Sequence, residues 1–466
     1  MELKNKRVLV VGLGKSGMAA ALFLRDKGAR VTVSDSRSAV ALAGEIPALL
    51  DAGIMVETGG HGLLTFRRQD LIVVSPGVPF DTPELKQIRA FGQPGPPIIG
   101  ELELASRFLQ GQVVAITGSN GKTTTTSLVG KIFAESGRAT LVGGNIGVPV
   151  IELVEKSSAG TISVLEVSSF QLETVEQFHP HIAVVLNITP DHLDRHGSFE
   201  NYAAMKTRIT AQQTAADFLV LNAEDKATQM VAAKTKAQIF WFSGLRRIKQ
   251  GAFVHGDSVF FLLREGGTAE PVMPVAEIPL KGAHNVENVL AAVCAARLGG
   301  VAAESIRASV ASFTAVEHRL EFVAAVRGVE FYNDSKATNV DATKKALEAF
   351  LGSVHLILGG KDKDSDYGEL GDLIRERVKF VYTIGSAAEK IERQLAGVVK
   401  IVSARTLDAA VRKAEAGAVA GDVVLLAPAC SSFDQFENYE HRGRTFKELV
   451  KGLAASEIES RGLKPN

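Results

Sequence analysis

Ala115-Ile116-Thr117-Gly118-Ser119-Asn120-Gly121-Lys122-Thr123-Thr124 is the stretch on which the fold turns. The apolar residues 113–116 form a candidate buried strand. Leu128, Val129, Ile132 and Phe133 share one face of a helix whose pattern ends at Gly137. Strand, glycine turn with Gly-Lys-Thr, and helix make the setting of a phosphate-binding loop. Glycines let backbone N–H groups approach an anion, and the helix N-terminus favours negative charge. Lys122 adds a full positive charge, and a threonine hydroxyl suits Mg²⁺. The position six before the lysine is Ile116, where the common motif has glycine. The competing interpretation is a glycine-rich turn with an incidental lysine.

Toward the N-terminus, residues 8–11 read as a strand, followed by Gly12-Leu13-Gly14-Lys15-Ser16-Gly17 and a helix closed by Gly28. A second strand ends in Asp35. This satisfies the dinucleotide fingerprint, acidic residue included. The fingerprint specifies phosphate and ribose more than nicotinamide, so an NAD site and a site for another nucleotide both stay open. Residues 71–74 form a further strand running into Ser75-Pro76-Gly77. The proline-rich residues 93–97 read as a linker.

Beyond the loop, strands at 141–142, 162–167 and 182–186 each run into a polar cluster, so this segment reads as a parallel α/β sheet. Glu166 ends one of those strands, where P-loop domains place a Mg²⁺ carboxylate. Lys206 is unusual. Tyr202, Met205, Lys206 and Ile209 form one helical stripe, which directs a lysine inward. Such a lysine either snorkels to the edge or has its charge paired or chemically removed. His192 is either a hydrogen-bonded core histidine or, with Asp191 and Asp194 nearby, a ligand. Short strands are expected at 218–221, 239–242 and 259–263. Trp241 and Cys294 read as core packing, and Asn285 either caps a helix or reads a base edge. In the last segment, polar loops follow strands near 329–332, 355–358 and 423–427, giving one ligand-facing edge.

The totals fit this picture. The 466 residues suffice for about three domains. Acidic and basic residues balance at 52 each, so no global field points to nucleic acid or a membrane. Two cysteines give no disulfide framework and suit a reducing compartment, and the N-terminal apolar run is too short for a signal peptide. A cytoplasmic protein with no membrane insertion is expected.

With these residues laid out, the chain resembles the Mur ligases over nearly its whole length. The resemblance is carried by the N-terminal glycine-rich unit and by runs 117–123, 144–147, 166–172, 187–192, 317–319, 333–338 and 428–436. The P-loop and 187–192 runs are shared with folylpolyglutamate synthases. Runs 166–172 and 431–436 point to the members that add D-glutamate. Ile116 fits, since Mur P-loops lack the first glycine.

The resemblance implies an α/β fold of three domains. These are an N-terminal Rossmann-like unit for the UDP-substrate (1–97), a central P-loop ATPase-type parallel sheet (98–315), and a C-terminal Rossmann-like unit for the amino acid (316–466). It implies ATP-dependent joining of D-glutamate to UDP-N-acetylmuramoyl-L-alanine for peptidoglycan, through an acyl phosphate and a tetrahedral intermediate, by a monomer. The expected UDP-substrate contacts are Ser16, Asp35, Ser36, Arg37, Ser75, Gly77 and Asn145. ATP is expected on Gly118, Ser119, Asn120, Gly121, Lys122, Thr123 and Thr124, with Asn285, Arg319 and Asp334. Thr123 and Glu166 would hold one Mg²⁺, and His192 with Lys206, as its carbamate, a second. Lys122, His192, Lys206 and Arg319 are the expected catalytic residues. Lys336, Thr338, Lys363, Ser432 and Tyr439 are expected on D-glutamate, with Tyr439 standing where relatives carry phenylalanine. Ligands drawn from three domains imply closure before chemistry. An NAD-dependent oxidoreductase and a P-loop ATPase switch are the alternatives; the first predicts tight NADH binding, the second ATP hydrolysis indifferent to amino acids.

Overall fold

A computed structural model describes residues 1–90, 95–314 and 316–460, leaving aside the side chains of Asp194 and residues 456–460. Part of the expected linker, residues 93 and 94, lies outside the described residues, as does Ala315 at the second expected boundary. Two compact units divide the chain: Met1–Glu277 with Glu287–Ala311, and Ile278–Val286 with Ser312–Asn466.

The first unit holds two sheets. Strands β1 (Arg7–Val11), β2 (Arg30–Asp35), β3 (Met55–Thr58), β4 (Leu71–Val74) and β5 (Ile98–Gly100) form an all-parallel sheet in the order β3-β2-β1-β4-β5. Val8 pairs with Val31 on one side and Leu71 on the other, and residues 8–11 are buried, as a central parallel strand requires. Helix α1 (Lys15–Asp26) connects β1 to β2. Its approach depends on Gly17, where a Cβ would lie 1.9 Å from the Gly12 carbonyl oxygen.

The second sheet comprises β6 (Gln112–Thr117), β7 (Thr140–Gly144), β8 (Ile162–Glu166), β9 (Ile182–Val185), β10 (Phe218–Asn222), β11 (Gln238–Ser243), β12 (Gly251–His255), β13 (Ser258–Leu262) and β14 (Glu270–Pro274), ordered β14-β13-β12-β11-β10-β9-β6-β8-β7. Strands β6 to β12 pair in parallel, the parallel sheet expected, and β12, β13 and β14 extend it by antiparallel pairing. The reason is local. Only Gly256-Asp257 separates β12 from β13, with Gly256 at φ +61°, and a two-residue connection permits only a hairpin. Helices of this unit include α2 (Glu101–Ser106), α3 (Lys122–Glu135), α4 (Leu193–His196) and α5 (Phe199–Thr207). The α3 residues Leu128, Val129, Ile132 and Phe133 are fully buried, as their spacing predicts. One apolar cluster runs from Val8 and Leu24 through Leu104 to Ala115, Leu165 and Leu219, so these two sheets share a core.

Helix α6 (Ala283–Leu298) spans the point where the chain passes from one unit to the other. The second unit is built on β15 (Glu321–Val326), β16 (Val329–Asn333), β17 (Val354–Gly359), β18 (Val378–Ile384), β19 (Lys400–Arg405) and β20 (Val423–Leu426), ordered β15-β16-β20-β17-β18-β19. Only β15, an edge strand absent from the sequence expectation, runs antiparallel. Leu356 and Leu425 enter one apolar cluster while their neighbours Ile357 and Leu426 enter the other, the alternation expected of strands covered on both faces. Helix α7 (Tyr439–Ser460) packs Phe446 and Val450 into the second cluster. Among the described residues, no helix is long and apolar enough to cross a membrane.

Candidate active site

The glycine turn lies between the end of β6 and the first residue of α3. Gly121 sits at φ +85°, and a Cβ there would come 2.2 Å from Asn288 Oδ1, so both conformation and space call for glycine. The Ser119 N–H donates to the Asn187 carbonyl (3.0 Å) and the Asn120 N–H to Asn187 Oδ1 (2.8 Å). Ser119 Oγ lies 2.9 Å from the Tyr202 hydroxyl. The loop is thereby held from the exit of β9 and from α5. Lys122 Nζ donates to the Gly118 and Ser119 carbonyls, both at 2.8 Å, which lays its charge across the turn.

Strand register brings the other groups in. Ile116 pairs with Glu166, so the carboxylate ends one strand over from the turn. Thr123 Oγ1 donates to Glu166 Oε2 at 2.7 Å and Asn145 Nδ2 to Glu166 Oε1 at 2.9 Å, so residues far apart in sequence share one carboxylate. Lys206 is 1% exposed and does not snorkel. Its Nζ donates to the Gly118 carbonyl at 2.8 Å and lies 4.6 Å from the Tyr202 ring centroid. Burial, then repulsion from Lys122, pushes this amine well below the ordinary lysine range, against attraction from Asp191 and Glu166. His192 has left-handed backbone (φ +53°) just before α4. Its Nε2 is 3.6 Å from Asp191 Oδ2 and its ring centroid 4.9 Å from that of Phe170. The side chain of Asp194 lies outside the described residues.

At the N-terminal sheet, Asp35 ties its own loop to the glycine turn after β1. It accepts from the Leu13 N–H (2.7 Å), from the Arg37 N–H (2.8 Å) and from the Arg37 guanidinium (2.9 and 3.1 Å). Burial raises the carboxyl, but the hydrogen bonds from Arg37 and Leu13 outweigh it and hold Asp35 at about 2. Ser75 Oγ donates to the Gly12 carbonyl at 2.7 Å, joining the two turns expected to face the UDP-substrate. Ser16 is half-buried, while Ser36, Arg37, Gly77 and Asn145 are exposed. Lys15 Nζ donates to the Gly147 carbonyl, linking α1 to the loop of Asn145. Leu13, Lys15, Arg37, Ile151 and Glu152 line a cavity of about 710 Å³, within the range of small-molecule sites.

In the second unit, Asn285 is the third residue of α6 and not its cap; its side chain donates to the Lys281 carbonyl at 2.7 Å. Lys336 Nζ stands 3.7 Å from the centroid of the Tyr439 ring, at the start of α7. Ser432 is buried, Thr338 half-buried, and Lys363 lies exposed in the loop after β17. Arg442, not anticipated from sequence, is fully buried. It donates to Ser335 Oγ (3.0 Å) and to the carbonyls of Ser335 (2.8 Å), Cys430 (3.1 Å) and Ser431 (3.3 Å), tying together the loops that carry Lys336 and Ser432. Asn288, which abuts Gly121 in the first unit, was also missed; its spacing of three from Asn285 on a helix was the available signal. Among the described residues, the one histidine and carboxylate group with metal-ligand spacing is Glu317, His318 and Glu321. Lys447 already pairs with both carboxylates, lying 3.0 Å from Glu317 and 2.5 Å from Glu321.

Asp334 is buried beside Arg319 and accepts from the Leu320 N–H at 3.3 Å. Burial lifts its carboxyl to about 7, although Arg319 and the Leu320 N–H oppose the rise. A raised carboxyl pKa means the folded chain keeps a proton that the unfolded chain has lost. The penalty is absent below the unfolded value near 4, grows as pH rises, and levels off above 7. Asp334→Asn therefore gains stability over the parent by about 2 kcal/mol more at pH 8.5 than at pH 5.5. Denaturant unfolding of both proteins at the two pH values measures this; a difference independent of pH contradicts it.

The chain matches the Mur ligase MurD-like N-terminal domain over residues 6–100, the Mur ligase middle domain over 116–296, and the Mur ligase glutamate ligase domain over 318–430. It is 67% identical over 458 residues to the UDP-N-acetylmuramoylalanine–D-glutamate ligase of Acidobacterium capsulatum, covering 98% of this chain and 99% of that one. It is 60% identical to the ligase of the same name from Koribacter versatilis, covering 98% and 100%. Among solved structures, it is similar in fold to the UDP-N-acetylmuramate–alanine ligase MurC of Thermotoga maritima (TM-score 0.59, 18% identity, 96% and 100% coverage). The MurF ligase of Thermotoga maritima in complex with ADP gives TM-score 0.59 at 18% identity, covering 99% and 96%.

Proposed function

The chain belongs to the Mur ligase family, and from that membership we infer what its site does. It is an ATP-dependent ligase that adds D-glutamate to UDP-N-acetylmuramoylalanine in the synthesis of peptidoglycan precursors. The observation that carries this is the 67% identity, end to end, with a D-glutamate ligase. Three sheets and three family matches support domains at 1–97, 98–315 and 316–466. The two buried, unpaired thiols, Cys294 and Cys430, fit a reducing cytoplasm.

A carboxylate is a poor electrophile, so ATP first converts the alanyl carboxylate to an acyl phosphate. Phosphoryl transfer needs positioning and charge neutralisation more than covalent help. Lys122 and the 118–124 backbone hold the phosphates, Asn288 keeps the turn in shape, and Arg319 with Asp334 and Asn285 serves the nucleotide. Ser16, Asp35, Ser36, Arg37, Ser75 and Gly77 seat the UDP end, Asp35 by fixing Arg37. Asn145, fastened to Glu166, faces the reacting end. Thr123 and Glu166 offer adjacent oxygen donors of the kind Mg²⁺ prefers. His192 and Lys206 would hold a second ion once the lysine is a carbamate. Bound Mg²⁺ would supply charge neutralisation at the transferring phosphoryl group.

Lys206 is suited to that modification because its amine is driven toward neutrality. The nitrogen lone pair bonds to the carbon of CO₂, a C–O π bond becomes the carbamate oxygen's electron pair, and the nitrogen's proton leaves to solvent. Lys336, Thr338, Lys363, Ser432 and Tyr439 bind D-glutamate, whose amine displaces phosphate through a tetrahedral intermediate.

ADP release over a panel of D- and L-amino acids tests the assignment. D-glutamate with UDP-N-acetylmuramoyl-L-alanine supports turnover, and omission of either stops it. Turnover with L-glutamate or L-lysine but none with D-glutamate removes the assignment.

A further inference from the structure

Glu101 is a buried carboxyl that the reaction does not use directly. It is the first residue of α2, directly after β5, the last strand of the N-terminal sheet, and it is 1% exposed. Its Oε1 accepts from the Ile151 N–H at 2.7 Å, while Oε2 is buried without a hydrogen-bond partner. An unpartnered buried oxygen is destabilising, so an apolar residue of the same size would pack there at less cost.

What the carboxyl holds is informative. Ile151 is the second residue of the 3₁₀-helix Val150–Lys156, and the N-cap is Pro149, which has no side chain to accept from the first N–H groups. That helix directly follows the loop of Asn145. At its entry the loop is fastened by the Asn145 N–H to the Glu166 carbonyl (2.9 Å) and Asn145 Nδ2 to Glu166 Oε1 (2.9 Å). Across the loop, from the end of β7, the Gly144 N–H donates to the Val148 carbonyl (2.8 Å). Glu101 supplies the fastening at its exit. Glu101 also lines, with Ser75 and Pro76, a small cavity against Phe170 and Thr174, so the residue that holds Ile151 adjoins the Ser75 turn. Burial raises the carboxyl to about 7, opposed by the Ile151 and Val150 N–H groups and reinforced by Glu152.

We propose that Glu101 is a positioning residue for the UDP-substrate, capping the 3₁₀-helix so that the loop of Asn145 is set relative to the Ser75 turn. The proposal rests on the assignment of Asn145 to that substrate. Glu101→Leu, which keeps volume and removes the acceptor, raises KM for UDP-N-acetylmuramoyl-L-alanine at least tenfold. KM for ATP and for D-glutamate stays within twofold. Glu101→Gln, which retains an acceptor for Ile151, restores the parent value to within threefold. Unchanged KM values in Glu101→Leu, or a common rise for all three substrates, overturns the proposal. Hydrogen exchange in the unmodified protein tests it without any variant: the Ile151 amide exchanges slowly, and exchange at the rate of an exposed amide overturns it. Asn145→Ala, run in parallel, separates the two ideas. A raised KM there with none in Glu101→Leu removes the role of Glu101 and leaves the assignment of Asn145 intact; no effect in Asn145→Ala removes that assignment.

Discussion

Lys206→Ala loses turnover by roughly 10³-fold or more, about 4 kcal/mol of barrier, and high bicarbonate does not restore it. For a side chain 1% exposed, burial and repulsion from Lys122 outweigh what Asp191 and Glu166 return to a charged amine. Its retention on the inward face of α5 therefore needs a chemical reason, and a carbamate provides one, turning a nitrogen into two anionic oxygens beside the phosphate loop. Thermal unfolding of the variant separates loss of chemistry from loss of fold: the cavity left by the buried side chain lowers the midpoint, while a cooperative transition above the assay temperature shows a folded, inactive protein. Labelled bicarbonate gives a carbamate carbon resonance in the parent and none in the variant. Full activity in Lys206→Ala sinks the role.

Glu166→Gln is the second large effect, with kcat lowered by roughly 10²–10³-fold. The amide nearly preserves shape and can still accept from Thr123 or Asn145, but it removes the negative charge at the end of β8. The loss should appear in kcat more than in KM for D-glutamate, whose expected contacts belong to the second unit. Steady-state kinetics at several Mg²⁺ concentrations measure it. A variant with parent kcat and parent metal dependence shows that Glu166 only orders Thr123 and Asn145.

The phosphate loop was legible from sequence because strand, glycines and amphipathic helix are adjacent in the chain. Lys206 was legible as an anomaly, since helical periodicity shows which face a residue takes, though not what lies opposite it. Asn288 escaped because its importance comes from Gly121, which is 167 positions earlier and meets it only through the fold. Arg442 escaped for a related reason. An arginine in the first turns of a polar helix reads as surface, and only the convergence of the loops after β16 and β20 reveals that it is buried. The dinucleotide fingerprint singled out Asp35, but not that its carboxylate binds the Leu13 N–H and Arg37, partners that only the fold brings to it. Pairing direction was the weakest inference from pattern alone, as the antiparallel β12–β14 and the unexpected edge strand β15 illustrate. Alternation and apolar runs define strands, whereas direction follows from connection length.

In the proposed reaction a carboxylate is activated by phosphorylation before an amine attacks it. Transfer of oxygen tests this most directly. With ¹⁸O in the alanyl carboxylate of UDP-N-acetylmuramoyl-L-alanine, that oxygen bonds to the γ-phosphorus of ATP and leaves with phosphate when D-glutamate attacks. Each inorganic phosphate released should carry one ¹⁸O from the labelled carboxylate. Phosphate free of label, with one labelled oxygen in the product amide and the other in water, would contradict activation by phosphorylation.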